Sequence, residues 1–460
     1  MAVWSKINFK DIEYSRIDSE FYQPKYVDEL KLWNSLSKIH TVTKLKNILS
    51  KPVRTGHTPK NRLIKREDDL IPFIKTNTLR EGKIVYSKVE FLPKRCLSSN
   101  DYIEDNASIV TIIGATKEIV GRVAIKEFKD PPSTTNQNVA IINFKPEIDP
   151  YYAMIYLQSK FGRDQLWRHS RQTEQVNLNC REVERVLFPI ISKELQLEIG
   201  NLVRNSFKLD EASLNMFKQA CDLLEQELGL DTISFEKPNN YIATFSEAID
   251  FMRIDSEYFQ PKFRKINELI ITYKNGYERL LTNIIYVKAD FNISTNKGNK
   301  IEYIELSKIN PVMGFIDDVD EIEKKDAPSR AKRIVAIGDV IASSVVGSVD
   351  KAGLVSEKEN GFIASNGFFQ FRSNYYSPEF LLIMIKSTII KEQFQQQSTG
   401  GILSAVPEQN LKHIIIPKID IEIQKKITEL VKDAHQKARA SKDLLAQAKN
   451  RVEQLIEEAI

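Results

Sequence analysis

Residues that could bind a negatively charged partner are concentrated between positions 41 and 95. This stretch carries 14 Lys or Arg against 5 Asp or Glu, whereas residues 280–333 carry nine of each. Hydroxyl and amide side chains are interspersed among the cations. Long cations bind phosphate groups, and Arg, Asn and Gln also read base edges. A solvated surface is the ordinary explanation of a basic stretch, but this mixture favours nucleic acid as the partner.

Residue patterns for catalysis are weaker. Asp130-Pro131-Pro132-Ser133 can be compared with the adenine-methyltransferase motif, but that motif ends in an aromatic residue that stacks on a flipped base. Ser133 cannot stack, so we predict a turn. Gly114 and Gly347 lack the further glycines of a cofactor-binding loop, and no Walker loop is present. The acidic stretch 317–323 has no histidine and indicates solvated surface rather than a metal site. We predict neither a catalytic nor a metal site.

Composition places the chain among cytoplasmic proteins. Three cysteines at unrelated spacings and five scattered histidines make neither a disulfide framework nor a zinc signature. No apolar run approaches the roughly 20 residues of a membrane span. The N-terminal residues include acids where a signal peptide would be apolar. We therefore expect a cytoplasmic protein without a membrane segment.

One sequence segment occurs twice. RIDSEFYQPKY at 16–26 and RIDSEYFQPKF at 253–263 share eight of eleven positions, and the other three exchange Tyr and Phe. We call these two stretches the repeated segments. Pro150 then matches Pro378 at an offset of 228, and Pro189 matches Pro417 at the same offset. A repeat of this length is a duplicated domain and not a solenoid.

The residue patterns predict mixed α and β structure in both halves. Alternating and β-branched runs indicate strands. These are LIPFIK (70–75), KIVYSKVEFL (83–92), ASIVTIIG (107–114), GRVAI (121–125) and NVAIINF (138–144), then KIEYIEL (300–306), DVIASSVVG (339–347), AGLVS (352–356) and NGFFQF (366–371). One helix is predicted after Pro150 and one after Pro378. Each half closes with a long helix, and a seven-residue repeat of small residues through Ala434, Ser441 and Ala448 predicts that the two helices pair.

Together these features resemble the specificity subunits of type I restriction-modification systems. The resemblance is carried by the repeated segments and by DVIASSVVGSVDKAGLV (339–355), with its counterpart SIVTIIGATKEIVGRVAI (108–125). It also rests on the helix starts at Pro189 and Pro417, each followed by Gln seven residues later, and on STGGILSAVPEQNLKHIIIP (398–417). One loop departs from the pattern, since residues 172–173 are Gln-Thr where the second half has Gly400-Gly401.

The resemblance implies a fold, a function and partners. The fold is α+β (mixed α/β), with two tandem target-recognition domains, each followed by a long helix, and with the two helices paired as an antiparallel coiled coil. The expected divisions are 1–192 and 251–419 for the recognition domains, 193–228 and 420–460 for the helices, and 229–250 for a linker. In the family, the two domains are held apart by the coiled coil, and each reads one half of a bipartite site in double-stranded DNA. Two modification (methyltransferase) subunits and a restriction/translocase subunit bind this chain. It holds no cofactor, and S-adenosylmethionine is expected on the modification subunit.

Candidate DNA-binding residues are the cations and polar side chains predicted on loops. In the first half they are Arg54, His57, Lys60, Arg62, Lys75, Asn77, Arg80, Lys117, Asn136, Gln137, Arg168, Arg171 and Gln172. In the second half they are Lys297, Lys300, Ser307, Lys308, Ser348, Lys351, Ser365, Asn366, Ser398, Thr399, Gly400 and Gly401. For Asn136, Gln137 and Asn366 a turn or strand-end role is the alternative. The repeated segments are expected to pack against the coiled coil or to bind identical partners, with structure the larger part.

Three alternatives stay open from the sequence alone. The chain could be a self-contained DNA-modifying enzyme, or a recognition subunit of a related phage-defence system. It could also be a scaffold that binds protein and not DNA. Salt-dependent binding to random duplex DNA separates the scaffold from the other classes, and methyl transfer by the purified chain identifies the enzyme.

Overall fold

The computed structural model describes residues 5–7, 9, 12–13, 16–60, 62–171, 176–232, 240–293, 298–317, 319–400 and 404–458. The chain divides into two compact units. Unit 1 contains Met1–Lys208 and Ala440–Ile460, and unit 2 contains Leu209–Arg439. The long helices, Lys193–Glu227 and Ile421–Glu457, both pass from one unit to the other. Each unit therefore contains part of both helices.

Unit 1 combines helices with short strands. Its helices are α1 (Pro24–Leu36), α2 (Pro150–Gln158), α3 (Lys160–His169), α4 (Cys180–Val183) and the first part of α5 (Lys193–Glu227). Its strands are β1 (Thr41–Lys44), β2 (Arg54–Thr55), β3 (Leu70–Ile74), β4 (Leu79–Arg80), β5 (Lys83–Ile84), β6 (Glu90–Pro93), β7 (Ser108–Thr111), β8 (Ile113–Gly114), β9 (Val123–Ile125), β10 (Thr134–Thr135), β11 (Val139–Ile142), β12 (Val176–Asn177) and β13 (Leu187–Ile190).

Unit 2 repeats this inventory. Its helices are the second part of α5, then α6 (Phe245–Phe251), α7 (Pro261–Ile271), α8 (Pro378–Lys386), α9 (Thr388–Gln397) and the first part of α10 (Ile421–Glu457). Its strands are β14 (Tyr277–Arg279), β15 (Ile285–Tyr286), β16 (Lys300–Ile304), β17 (Asp320–Glu323), β18 (Ala331–Ile334), β19 (Val340–Ser343), β20 (Ala352–Leu354), β21 (Ile363–Ser365), β22 (Phe368–Arg372) and β23 (Ile415–Pro417).

The sheets of the two units have the same strand order. The four-stranded sheet β2-β11-β7-β9 of unit 1 corresponds to β15-β22-β19-β20 of unit 2, and the antiparallel pair β1-β13 corresponds to β14-β23. The sheet β10-β3-β6 corresponds to β21-β16-β17, to which unit 2 adds β18. The central strands β7 and β11 are buried along their whole length, which explains their continuous runs of β-branched residues. The predicted duplication of a mixed α and β fold is confirmed.

The predicted single helix after Pro150 is two helices, and so is the one after Pro378. Ser159 and Ser387 have extended backbone (ψ 162° and 158°) and separate α2 from α3 and α8 from α9. The Ser159 hydroxyl accepts a hydrogen bond from the Gly162 amide at 3.2 Å and so caps the second helix. The break falls in a short polar run in each unit, Gln158-Ser159-Lys160 and Lys386-Ser387-Thr388, through which the sequence prediction continued a single helix. Similarly, the predicted strand 83–92 is two strands, β5 and β6, joined by a 3₁₀ turn.

Four helices were not predicted from the sequence, namely α1, α4, α6 and α7. α1 and α7 follow the repeated segments, and each begins at a proline, Pro24 or Pro261. Proline is favoured at the first helical position because its fixed φ suits a helix and its missing N–H is not needed there. The prolines therefore gave a signal that the sequence analysis did not use. The segment expected to be a linker, 229–250, contains most of α6.

The long helices pair with each other in both units. In unit 1, Ala448 and Val452 of α10 belong to the same buried core as Ile199 and Val203 of α5. In unit 2, α5 contributes Ala220 and Leu224 and α10 contributes Ile427, Val431 and Ala434 to one core. Because the first part of α5 meets the last part of α10, the pair is antiparallel, as predicted.

Small polar residues complete the seam in unit 1. Buried Ser206 and Ser441 each donate a hydrogen bond to the other's backbone carbonyl at 2.8 Å. Helices that exchange such bonds need short side chains where they meet, and this explains serine in the seven-residue repeat. No helix in the described part of the chain is long and apolar enough to cross a membrane.

Candidate nucleic-acid interface

The first repeated segment is fixed to the end of α3 by an arginine. Arg16 is buried and donates two hydrogen bonds to the Asp18 carboxylate, at 2.7 and 3.0 Å. Its other guanidinium hydrogens reach the backbone carbonyl oxygens of His169 at 2.8 Å and Ser170 at 3.3 Å. The carboxylate orients the guanidinium, and the guanidinium satisfies carbonyls that a helix end leaves free.

The second repeated segment makes the same contacts with α9. Arg253 donates to Asp255 at 2.5 and 2.7 Å and to the carbonyl oxygen of Ser398 at 3.2 Å. Ser398 is the residue that matches Ser170 at the 228-residue offset. The hydrogen bonds from the Arg253 guanidinium hold the pKa of the Asp255 carboxyl below its usual value. The carboxylate therefore stays charged beside its arginine at neutral pH.

In each unit a lysine of the repeated segment forms an ion pair that provides a second attachment. Lys25 pairs with Asp164 of α3 at 3.1 Å, and Lys262 pairs with Glu392 of α9 at 2.7 Å. The arginine, aspartate and lysine of the repeated segments therefore serve the fold. They anchor the segments to α3 and α9, where the sequence analysis had expected packing on the coiled coil.

A basic loop projects between β2 and β3 of unit 1. We define the basic loop as residues 60–66, which include four cations and no carboxylate. The cations are Lys60, Arg62, Lys65 and Arg66, and all four side chains are exposed. In the part of the chain that the structure describes, none of them forms an ion pair. Their charge is therefore available to phosphate groups.

The basic loop is held by a hydrogen bond to one of its backbone carbonyls and carries two exposed apolar side chains. Arg95 donates to the Leu63 carbonyl at 2.8 Å and pairs with Asp68 at 2.9 Å. Leu63 is 85% exposed, and Ile64 is exposed beside it. Apolar side chains flanked by cations can contact bases in a nucleic-acid groove. The sequence analysis did not single out Leu63 and Ile64, although two apolar residues within a cationic loop were a usable signal.

Several predicted cations of unit 1 are already paired. Arg54 pairs with Glu104 at 2.8 Å, and His57 contacts Asp101 at 2.9 Å. Burial opposes ionisation of Glu104, but hydrogen bonds from Lys51 and Arg54 lower its pKa to about 2. Arg54 is therefore held by a permanently charged partner. Two more predicted cations, Lys75 and Lys117, pair with Glu90 and Asp164, respectively.

The other predicted DNA-binding residues of unit 1 fall into an exposed group and a buried group. Asn77, Arg80, Gln137 and Arg171 are exposed, and Arg171 also contacts Glu182 at 3.2 Å. Arg168 is buried, donates to the Phe21 carbonyl at 3.1 Å and stacks on that ring. Its position makes it part of the anchor of the repeated segment. Buried Asn136 accepts a hydrogen bond from the Asn138 amide at 3.0 Å, which is the turn role given as its alternative.

Unit 2 offers fewer unpaired cations. Lys300 pairs with Glu321 at 2.6 Å, and Lys308 pairs with Asp320 at 2.8 Å. Ser307 is exposed and donates to Glu305, whereas Ser365 is buried and accepts from the Gly367 amide. Ser348 and Lys351 are half-buried, and Asn366 is exposed. Gln172, Lys297 and Gly401 lie outside the described residues.

The loop after α9 borders a cavity. Thr399 and Ala405 exchange backbone hydrogen bonds at 2.9 and 3.0 Å, which closes the loop that contains Gly400. Gly400 has φ +114°, a conformation that favours glycine. The cavity has a volume of about 590 Å³ and is lined by Arg253 and Ser404 as well as by Ser398, Thr399 and Gly400. Three predicted residues are thus brought together beside the anchor of the second repeated segment.

Among the residues compared with a methyltransferase motif, Asp130 closes a turn that begins at Glu127, and residues 131–133 continue without regular structure. The Asp130 carboxylate accepts a hydrogen bond from the Glu127 amide at 2.9 Å. Ser133 is buried and donates to the Pro131 carbonyl at 2.7 Å. Within the described residues, no group of three His, Cys, Asp or Glu side chains has the arrangement of a metal site.

The fold and the exposed residues define a duplicated α+β protein whose two units share a scaffold and differ in their polar loops. Comparison with known proteins supports the same class. The chain is 21% identical over 310 residues to the type I restriction enzyme StySPI specificity subunit of Salmonella potsdam. The match covers 65% of this chain and 59% of that subunit, so it spans less than two thirds of the relative. The chain is thus related to a type I specificity subunit, which confirms the predicted resemblance.

Solved structures with similar features were also found. The S subunit of a type I restriction-modification system from M. genitalium has 12% sequence identity and a TM-score of 0.46, over 91% of this chain and 96% of that one. The HsdS subunit from Thermoanaerobacter tengcongensis has 14% identity and a TM-score of 0.29, over 91% and 95%. No family model matches the chain.

The anchors predict unequal effects on stability. Arg16→Gln removes a buried guanidinium and leaves carbonyls unsatisfied, so we expect a decrease of about 2 to 3 kcal/mol in the free energy of unfolding. Arg253 is more exposed and bonds one carbonyl, so Arg253→Gln should cost about 1 kcal/mol or less. Denaturant unfolding of the full chain measures both. Glu20→Gln, an exposed change in the same segment, is the control, and equal decreases for the two arginines would contradict the anchor geometry.

Proposed function

We propose that this chain is the specificity subunit of a type I restriction-modification complex and contributes recognition without catalysis. The observation that carries the proposal is the duplicated scaffold. The strand order and the arginine anchors are the same in both units, whereas the exposed loops differ in length, charge and sequence. A protein that reads two different half-sites with one architecture needs this combination. The relationship to a known specificity subunit supports the same interpretation.

We propose that unit 1 binds double-stranded DNA through the basic loop. Its four unpaired cations supply the salt-dependent attraction to phosphates, and its exposed Leu63 and Ile64 are suited to contact with bases. Cations already held by carboxylates, such as Arg54 and Lys300, contribute less because binding phosphate would cost them an existing ion pair. Unit 2 is proposed to read its half-site mainly through polar groups around Ser398–Gly400.

The loop proposal predicts a change in salt dependence. Replacing Arg62, Lys65 and Arg66 together by Gln should reduce the slope of log K against log salt by about 0.9 for each phosphate group that the variant no longer neutralises. Binding of the full chain to random duplex DNA, followed by fluorescence anisotropy across a salt series, gives the slope. The control replaces Lys425, Lys426 and Lys432 of α10, three exposed lysines, by Gln. Equal slopes for loop and control variants would exclude the loop as the DNA-binding element.

The proposed bipartite site can be tested by exchanging one unit's recognition region. Thr41 of β1 pairs with Ile190 of β13, so residues 41–190 enter and leave unit 1 at neighbouring positions. Tyr277 and Pro417 are paired in the same way in unit 2. The Arg16 anchor binds backbone carbonyls within the exchanged region, and such contacts tolerate changes of side chain.

Exchange of residues 41–190 for the matching region of another specificity subunit should change one half-site and leave the other unchanged. Exchange of residues 277–417 should change the other half-site. Methylation mapping in cells that express the chimera with its modification subunit identifies the sequence. A chimera in which both half-sites change would show that the regions do not read independently.

We also propose that two identical modification subunits, which carry S-adenosylmethionine, bind one to each repeated segment, and that the restriction/translocase subunit joins this core. The two repeated segments also share residues that take no part in the arginine anchors. Ile17 is 85% exposed and Ile254 is 95% exposed, although the two positions are identical. An exposed isoleucine contributes little to its own fold, so its identity in both copies is explained by a shared partner.

The partner proposal predicts stoichiometry. Ile17→Glu and Ile254→Glu should each release one modification subunit, and the double variant should release both, because a charge cannot enter an apolar interface without a large desolvation cost. Native mass measurement of the reconstituted complex counts the subunits. Ile39→Glu, at an exposed isoleucine outside the repeated segments, is the control. Two subunits bound to the double variant would show that the partner docks elsewhere.

A further inference from the structure

A cationic cleft on unit 1 is lined by residues outside the basic loop. It has a volume of about 310 Å³, and its lining includes Arg80, Arg122, Lys160, Arg163 and Lys449 together with one carboxylate, Glu81. Apart from Arg80, the sequence analysis selected none of these cations, because they come from separate parts of the chain. Only the fold brings them to one place. We call this site the arginine cleft.

Backbone carbonyls, and not carboxylates, orient the three arginines. Arg122 donates through Nε to the Glu118 carbonyl at 2.6 Å, Arg163 donates to the Lys117 carbonyl, and Arg80 donates to the Leu79 carbonyl at 3.0 Å. Each guanidinium keeps further N–H groups for a ligand. None of the three forms an ion pair with any residue that the structure describes.

The charges of the arginine cleft repel one another. Burial lowers the pKa of Arg122, and the neighbouring Arg80 charge lowers it further. Burial likewise lowers the pKa of Arg163, and Arg122 adds to this effect, while Glu118 opposes it. Like charges gathered in a partly desolvated cleft raise the energy of the empty site, and a bound anion would relieve the repulsion.

Nearby carboxylates do not neutralise the arginine cleft. Glu457 pairs with Lys160, and Glu453 accepts a hydrogen bond from the Lys160 amide at 2.6 Å, so these acids join α10 to α3. Glu118 is fully exposed. The lining thus has five cations against the single acid Glu81, with Lys160 the one cation that is already paired among the residues that the structure describes.

Unit 2 does not reproduce the arginine cleft. The position of Arg80 is occupied by Val312, and those of Arg122 and Arg163 by Lys351 and Lys391. At the position of Gln158, unit 2 has buried Lys386, whose ammonium donates to the carbonyl oxygens of Pro311 at 2.6 Å and Asp350 at 3.0 Å. The Lys386 ammonium therefore occupies this part of unit 2. In unit 1 the uncharged Gln158 takes its place and leaves room for a ligand.

We propose that the arginine cleft is a phosphate-binding site, in which the guanidinium groups of Arg80, Arg122 and Arg163 share one tetrahedral oxyanion. Guanidinium groups bind phosphate through paired hydrogen bonds, and a volume of about 310 Å³ accommodates a phosphate with part of the ester attached to it. The phosphate belongs either to the backbone of bound DNA or to a free phosphate compound. The site does not depend on the proposed role in restriction.

Thermal unfolding of the full chain tests for the anion. Inorganic phosphate or pyrophosphate at about ten times its dissociation constant should raise the melting temperature by about 2 to 4 °C over sodium chloride of equal ionic strength. Arg122→Gln should abolish this rise. Lys432→Gln, at an exposed lysine of α10 that belongs to no candidate binding site, is the control and should keep it.

A second variant distinguishes the loss of phosphate binding from misfolding of the chain. Arg80 and Lys449 are exposed, so the double variant Arg80→Gln/Lys449→Gln should melt normally in chloride while losing at least half of the rise caused by phosphate. Arg122→Lys should keep part of it, because one charge stays while the paired hydrogen bonds do not form.

Duplex binding distinguishes the two sources of phosphate. A salt slope that falls by about 0.9 in the cleft variants, but not in Lys432→Gln, assigns the phosphate to the DNA backbone. An unchanged slope together with loss of the phosphate-induced stabilisation assigns it to a free phosphate compound. If phosphate and pyrophosphate do not stabilise the wild-type chain beyond chloride, and the slope is also unchanged, the proposal is wrong.

Discussion

The structure depends on the antiparallel pairing of two helices, α5 and α10, that are shared by both units. The core of unit 1 includes Ala448 and Val452 from the C-terminal helix α10, and the core of unit 2 includes Ala220 and Leu224 from α5. Each unit therefore completes its apolar core with residues from the far half of the chain. Burying an apolar side chain contributes about 1.5 to 3 kcal/mol, so the loss of one helix removes stabilisation from both units. The small residues of the seam exist because the backbones must approach closely.

The second constraint is the way that each repeated segment is attached. Its arginine binds carbonyl oxygens at the end of a helix, and these groups are present whatever the local side chains are. The anchor therefore holds the repeated segment in position without requiring particular side chains at the helix end. The loops beyond α3 and α9 remain free to differ between the units. This separation of scaffold from loop sequence is what a protein with two recognition regions requires.

Ion pairing determines which cations keep their charge available to an anionic partner. Arg54, Lys75 and Lys300 looked equivalent to the basic loop in composition, but each has a carboxylate partner within hydrogen-bonding distance. An exposed ion pair contributes about 0 to 1 kcal/mol, and most of its charge is already neutralised. The basic loop and the three arginines of the arginine cleft differ because their charges lack such partners in the described chain. Local charge counts therefore located the basic region but did not show which of its cations are unpaired.

The sequence by itself determined the duplication, the mixed α and β class, the paired long helices and the resemblance to type I specificity subunits. These follow from periodicity and from matched segments, which a linear comparison records directly. The breaks at Ser159 and Ser387, the burial of Arg168 and the ion pairs of the predicted cations were decided by tertiary structure. They depend on which groups meet across long separations in the chain, such as the Arg16 guanidinium with the His169 carbonyl, or Arg80 and Arg163 in the lining of one cleft. Hydrogen bonds and burial act through space, and the order of residues along the chain does not specify those distances.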